Sequence, residues 1–203
     1  MSGNWVSTTA SASLLEYHPM VPPRPVNKPT PRRSGRNSVN EAAGGAFGTA
    51  APHVKAYFDY WEQFTTGHRE QLTKAMEETQ ASRWRTWAKA AHLVFPPDCF
   101  PPAESMLADA ARAAGDDREA VARVAFLKLG LTHAKLCAHV AGQISLANPA
   151  GSKADAKGAL DELIAFRRKT EKSGIGNFNH LAWMEYLSWR LSDEAKKAPE
   201  LYP

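Results

Sequence analysis

Residues 116–147 predict a single long helix with apolar side chains on nearly every side. Asp116, with Glu119 three residues later, has the spacing of a capping box, which begins a helix. The polar residues of the stretch are confined to a narrow stripe: Arg123, Lys128, Thr132, Lys135, His139 and Gln143. A helix with so little polar surface must be covered by other helices. The stretch therefore predicts the central helix of a bundle.

Further segments on both sides of this helix repeat apolar side chains at three- and four-residue steps, as amphipathic helices do. Their predicted ranges are 52–76, 84–91, 103–114, 152–174 and 179–198. Pro52 suits a first helical turn, the proline-rich stretch 95–102 must break the second helix, and Gly115 is placed as the C-terminal cap of the third. No strand-like alternation occurs, so residues 43–203 predict an all-α bundle of five or six helices.

Residues 1–42 have a different composition and are predicted to be a disordered segment. From Pro19 to Arg36 the chain is dense in proline, serine and arginine, so it has little apolar surface whose burial could offset the entropy of ordering. The stretch Pro22–Pro25 has two interpretations. It is either a polyproline II segment that docks on an SH3-like partner or a solvated tail.

The positive charge of the chain belongs to this N-terminal segment. The full sequence has a formal net charge of +4, and residues 1–40 account for all of it, with five lysines and arginines against Glu16. Residues 41–203 contain 20 basic and 20 acidic residues and are neutral. A basic arm without an aromatic or motif context binds phosphates only weakly, so the charge pattern argues against nucleic acid as a partner.

Other classes are excluded by features that the sequence lacks. No apolar run of about 18 residues occurs, so no transmembrane helix is predicted, and Met1–Ser13 lacks the basic and apolar regions of a signal peptide. Cys99 and Cys137 do not define a disulfide framework, and we expect one buried and one partly exposed thiol. No dinucleotide or phosphate loop is present. We therefore predict no cofactor and no catalytic residue, and the cellular compartment is left open.

One candidate site lies on the first predicted helix. Asp59 and Glu62 are three residues apart, flanked by Tyr57, Tyr60 and Trp61. Carboxylates beside aromatic rings are typical of carbohydrate sites, although two acids on one helical turn cannot straddle a glycosidic bond. These five are the candidate substrate-binding residues. The alternative is a solvated helix face beside a core face.

A second candidate pair lies on the central helix. His133 and Cys137 are four residues apart and share a helix face. Zinc accepts both kinds of ligand, but one pair does not make a zinc site, and neither a CxxC nor an HExxH motif accompanies it. We therefore predict no metal site and interpret the pair as core packing with a local hydrogen bond.

The start of the first helix resembles a known family. The stretch Ala46–Glu62, which reads AFGTAAPHVKAYFDYWE, is similar to the start of the helical C-terminal region of a bacterial family of unknown function that itself resembles glycoside hydrolases such as alpha-glucuronidases. Residues 95–136, including Arg123–Leu131, resemble the proline-marked loop and helix pair that follow in that family. The resemblance extends over roughly residues 44–200, with Thr49 where the family has proline.

The resemblance implies a function without a catalytic site. In such proteins a barrel that precedes this region would carry the chemistry, and no barrel-like sequence is present here. The resemblance therefore predicts a non-catalytic accessory module, or a fragment, of a carbohydrate-active protein whose partner would be a missing barrel domain or a carbohydrate. Residues 1–42, which do not resemble the family, would then reflect a truncated or frameshifted gene. The alternative is a free-standing helical protein–protein interaction domain with a flexible basic docking arm.

Overall fold

The computed structural model of the chain describes residues 45–82, 86–146 and 153–189. Every regular element in these ranges is helical, which confirms the predicted all-α class. The α-helices are α1 (Ala51–Gly67), α2 (Arg69–Glu78), α3 (Ala91–Val94), α4 (Phe100–Ala114), α5 (Arg118–Leu146), α6 (Lys153–Thr170) and α7 (Phe178–Trp189). The predicted disordered segment 1–42 lies outside the described residues, as do Trp84 and the predicted end of the last helix, residues 190–198.

The first predicted helix, 52–76, is two helices in the structure, and this corrects the prediction. α1 ends at Gly67 and α2 begins at Arg69, with His68 between them at φ −104° and ψ 21°. Glycine disfavours the helix by about 1 kcal/mol relative to alanine. The His68 ring also donates from Nδ1 to the carbonyl oxygen of Phe64, at 2.8 Å. Both effects favour a change of helix direction here, although the apolar periodicity continues across it.

The proline-rich stretch 95–102 does more than break a helix. Residues Pro97–Cys99 form a 3-10 turn, and α4 then begins at Phe100, three residues before its predicted start. Pro101 and Pro102 lie in the first turn of α4, where a missing backbone N–H costs no hydrogen bond. The helix ends as predicted at Gly115, which has φ +53°.

The long helix α5 is central, as predicted, and contacts α3, α4 and α6. Its N-terminal cap is Asp117 rather than Asp116, because Asp117 Oδ1 accepts hydrogen bonds from the backbone N–H groups of Glu119 and Ala120, each at 3.0 Å. Such a cap contributes about 1 kcal/mol. Later along the helix, Gly142 faces α3, and a Cβ at this position would make an ordinary van der Waals contact with His92 Cβ at 3.5 Å.

The core consists of two apolar clusters. The larger one joins α1, α2 and α4 to the N-terminal part of α5. The smaller one joins the segment around Ala88 and α3 to the C-terminal part of α5 and to α6. Cys99 belongs to the first cluster and Cys137 to the second, so both thiols are buried. The expectation of one partly exposed thiol was wrong, because the 3-10 turn Pro97–Cys99 places Cys99 in the first cluster.

Candidate functional site

The five candidate residues of α1 separate into a core group and a solvent group. Tyr57 and Trp61 are 1% and 6% exposed, and their rings meet edge to face. Trp61 also contacts the rings of Phe95 and Phe100. Burial raises the pKa of the Tyr57 hydroxyl to about 12. These two aromatic side chains fill the core and offer no ring face to a ligand.

The two carboxylates lie on the solvent side of the same helix. Asp59 accepts a hydrogen bond from Lys55 one turn earlier, and Glu62 is exposed. An ion pair between adjacent turns is a common feature of solvated helix faces and contributes only a few tenths of a kcal/mol. The structure therefore does not bring Asp59 and Glu62 together with the rings of Tyr57 and Trp61.

Tyr60, the remaining candidate, borders an open surface cleft of about 410 Å³. The cleft lies between the end of α1, the start of α2 and the segment that joins α3 to α4. It forms because α2 turns away at His68 while Pro96 holds an extended backbone at ψ 157°. Its apolar lining includes Tyr60, Phe64, Leu72, Leu93, Val94 and Pro96.

A row of three rings, Tyr60, Phe64 and His68, runs along the cleft. The residues are four apart, so they share one face over the last turns of α1. The ring centroids of Tyr60 and Phe64 are 6.2 Å apart, and those of Phe64 and His68 are 4.4 Å apart. The Tyr60 hydroxyl donates to the carbonyl oxygen of Cys99 at 2.7 Å, which fixes that ring. A row held in this way loses little side-chain entropy when a ligand covers it.

The polar groups of the cleft give it an acidic character. Asp98 lies in the lining, and no lysine or arginine does. Burial, and then the charge of Asp98, raises the pKa of the Cys99 thiol to about 12. Burial also raises the pKa of the Tyr60 hydroxyl, with smaller contributions from Cys99 and Asp98. Both groups stay protonated at neutral pH, so the cleft offers ring faces and one carboxylate rather than a nucleophile.

His133 and Cys137 belong to a buried group that we call the polar cluster: His133, Cys137, Arg167 and Glu185. The cluster joins α5, α6 and α7, and Arg167 and Glu185 are only 3% and 5% exposed. Arg167 holds Glu185 through two hydrogen bonds, from Nη1 to Oε2 at 2.7 Å and from Nη2 to Oε1 at 2.6 Å. Its Nε also donates to His133 Nε2 at 3.0 Å.

The predicted contact between His133 and Cys137 is confirmed, with Sγ 3.6 Å from Nε2. The pair is nevertheless a minor part of the polar cluster. Arg167 Nη2 donates to Cys137 Sγ at 3.5 Å, and the thiol in turn donates to Glu185 Oε1 at 3.6 Å. The ring of Phe178 covers the group, with its centroid 5.7 Å from Arg167 Cζ. Arginine therefore takes the place between these side chains that a metal ion would need.

The protonation states of the polar cluster follow from its burial. Burial, and then the nearby positive charge of Arg167, lower the pKa of His133 to about 3, so the imidazole is neutral. Burial and the charge of Glu185 raise the pKa of Cys137, so the thiol is protonated. Burial opposes the charge on Arg167, but Glu185 outweighs this and raises the pKa of the guanidinium. A neutral acceptor, a thiol and a closed ion pair hold helices together and leave no free base or nucleophile.

Sequence reasoning missed Arg167 and Glu185, although a signal was present. Arg167 follows Leu163 by four residues, so it continues the apolar face of α6. Glu185 stands between Met184 and Tyr186 in a helix that is apolar on most sides. A charged residue at a core position is rarely buried without a partner. Two such positions of opposite charge therefore indicate a buried ion pair.

The fold and the cleft together define the class of this protein as an all-α helical bundle with an aromatic surface cleft. No family model, curated protein or solved structure matches the chain. The resemblance to a glycoside-hydrolase-like family therefore stays a prediction. In the ranges that the structure describes, no helix is long and apolar enough to cross a membrane. No group of three or more His, Cys, Asp or Glu among those same residues could hold a metal ion.

Proposed function

We propose that this chain is a non-catalytic helical interaction domain whose cleft binds an extended, proline-containing segment of a partner protein. The observation that carries the proposal is the row of Tyr60, Phe64 and His68 beside the exposed side chain of Leu93, which is 44% exposed. Aromatic side chains that line an open groove are the surface on which polyproline II segments dock. Such segments are already extended in the free state, so their binding costs little ordering entropy.

The chemistry of the cleft sets the kind of segment that fits. Proline rings pack flat against aromatic side chains such as those of the row. Asp98 supplies one carboxylate at the edge of the cleft. A lysine or arginine that flanks the prolines would pair with it and fix the direction of the segment. The expected ligand is thus a proline-rich stretch with a neighbouring basic residue.

The accessory-module function implied by the family resemblance predicts a different surface. A bundle that packs on a barrel needs a continuous exposed apolar face. In the described part of the chain, the exposed large apolar side chains belong to four different helices: Phe58, Leu93, Val121 and Trp183. This scattered distribution supports a free-standing interaction domain over a module that has lost its barrel.

A binding titration with one matched pair of variants tests the proposal. A synthetic polyproline peptide that ends in arginine is titrated into the full chain, and binding is followed through the methyl resonances of Leu72, which both variants keep. Leu93→Ala should weaken binding about fivefold, because covering the exposed part of a leucine contributes about 1 kcal/mol. Val121 is 43% exposed on another helix, so Val121→Ala is the control. Equal effects of the two variants, or no binding at all, would refute the proposal.

A further inference from the structure

We infer that the cleft is occupied in the same chain by residues 19–30, which we call the proline segment, so that the protein covers its own binding site. This inference rests on the proposed function, and it adds the identity of one ligand and a means of control. Three features support it: the side-chain pattern of the proline segment, its charge, and the distance from the cleft to the start of the described chain.

The proline segment has the pattern of an amphipathic polyproline II helix. Such a helix has three residues per turn, so residues three apart lie on one edge. Two of the three edges are almost entirely apolar: Pro19, Pro22 and Pro25 with Lys28, and Met20, Pro23, Val26 and Pro29. The third edge carries the polar side chains Arg24, Asn27 and Thr30, with Val21 at its start. A row of aromatic rings can pack against two adjacent apolar edges while the polar edge faces water.

The charges of the two surfaces are complementary. The proline segment contains Arg24 and Lys28, is followed by Arg32 and Arg33, and has no acidic residue. The cleft lining contains Asp98 and no lysine or arginine. Opposite charges at the edge of an apolar contact orient the ligand more than they tighten it. They therefore favour one direction of the proline segment in the cleft.

The chain is long enough to make this contact. Where the described chain begins, Thr49 Oγ1 donates to the carbonyl oxygen of Ala113 at 2.5 Å, near the C-terminal end of α4. The cleft lies at the other end of α4, where Tyr60 contacts Cys99. The 15 residues of α4 span about 22 Å. Residues 31–44 connect the proline segment to the domain, and a chain of this length has an average end-to-end distance of about 20 Å.

This match between distance and chain length has an energetic consequence. When the average length of a connecting chain equals the gap, the local concentration of the tethered ligand reaches the order of 1 mM. A proline segment with an intrinsic dissociation constant of a few tenths of a millimolar would then fill the cleft most of the time. A partner must displace it, which weakens partner binding about threefold to tenfold.

Two variants of the full chain test the inference. Val26→Asn places a polar group on an apolar edge, and Val21→Asn makes the same change on the polar edge, so the second variant is the control. Neither change touches a proline or the helical domain. We expect Val26→Asn alone to shift the methyl resonances of Leu93 and to strengthen binding of the arginine-terminated polyproline peptide, by at most the roughly threefold to tenfold of complete release.

The outcomes separate the inference from the proposed function. If the peptide binds but both variants behave like the natural sequence, the proline segment does not occupy the cleft, and the proposed function stands. If the peptide does not bind to any of the three proteins, the proposed function fails. A shift of the Leu93 methyl resonances in Val26→Asn alone would still support the internal contact in that case.

Discussion

Removing the carboxylate of Glu185 should destabilise the domain far more than removing an exposed carboxylate. Arg167 is 3% exposed, and in Glu185→Ala its guanidinium keeps hydrogen bonds only to His133 Nε2, at 3.0 Å, and Cys137 Sγ, at 3.5 Å. Both hydrogen bonds to the carboxylate, at 2.6 and 2.7 Å, are lost. Leaving a buried charge without its counter-charge costs about 3–5 kcal/mol.

The magnitude is large compared with the stability of a domain of this size. Domains are stable by about 5–15 kcal/mol in total. A loss of 3–5 kcal/mol corresponds to a fall in Tm of about 10 °C for a domain of about 150 residues. It also removes the main polar link between α6 and α7, so α7 should lose its protection from hydrogen exchange before the other helices do.

The assay is urea and thermal unfolding of the full chain, followed by far-ultraviolet circular dichroism. Glu104→Ala is the matched control, because Glu104 pairs with Lys135 while its side chain is 44% exposed, and such pairs contribute about 0–1 kcal/mol. The double variant Arg167→Met with Glu185→Leu replaces the ion pair by apolar groups and should restore most of the stability. A loss in Glu185→Ala no greater than that in Glu104→Ala would refute the reasoning.

Two further predictions concern pH and glycine. The pKa of His133 is lowered to about 3 in the folded protein, whereas a histidine in an unfolded chain has a pKa of about 6.5. Between these two pH values the unfolded state binds more protons than the folded state. The contribution of neutral His133 to stability is therefore fully present above pH 6.5 and is lost as pH falls. Urea unfolding at different pH values should show that the free energy of unfolding falls by about 2 kcal/mol at pH 5. His133→Asn should reduce this loss, and His139→Asn, at an exposed position, should leave it unchanged. The same pH dependence in both variants would contradict the prediction. Gly115 has φ +53°, and no atom lies within 4 Å of an added Cβ, so Gly115→Ala should cost about 1–3 kcal/mol through backbone strain alone. Gly67→Ala, in a helical turn with equal space, should instead stabilise by about 0.5–1 kcal/mol, and the same sign for both variants in thermal unfolding would refute the strain argument.

The local architecture could be predicted from the sequence because its causes are local. The apolar surround of α5 predicted a central helix, and the prolines at positions 101 and 102 with Gly115 marked the region and the end of α4. These signals depend on the backbone chemistry of single residues and on a period of 3.6 residues. These signals predicted helix boundaries less accurately where two chemical effects compete. The break at His68 lies inside a continuous apolar stripe, and Asp117 rather than Asp116 caps α5.

The sites depended on tertiary structure, because periodicity tells which face of a helix is apolar but not which helix covers it. Tyr57, Tyr60 and Trp61 are equivalent candidates in the sequence, and only the packing of α4 on α1 buries two of them and leaves Tyr60 at the cleft. The polar cluster joins residues 18 to 48 positions apart across its helices. The sequence alone determined a neutral helical bundle behind a basic proline-rich segment. The directions in which the helices cross decided which rings stay open to a ligand and which charges are paired in the core.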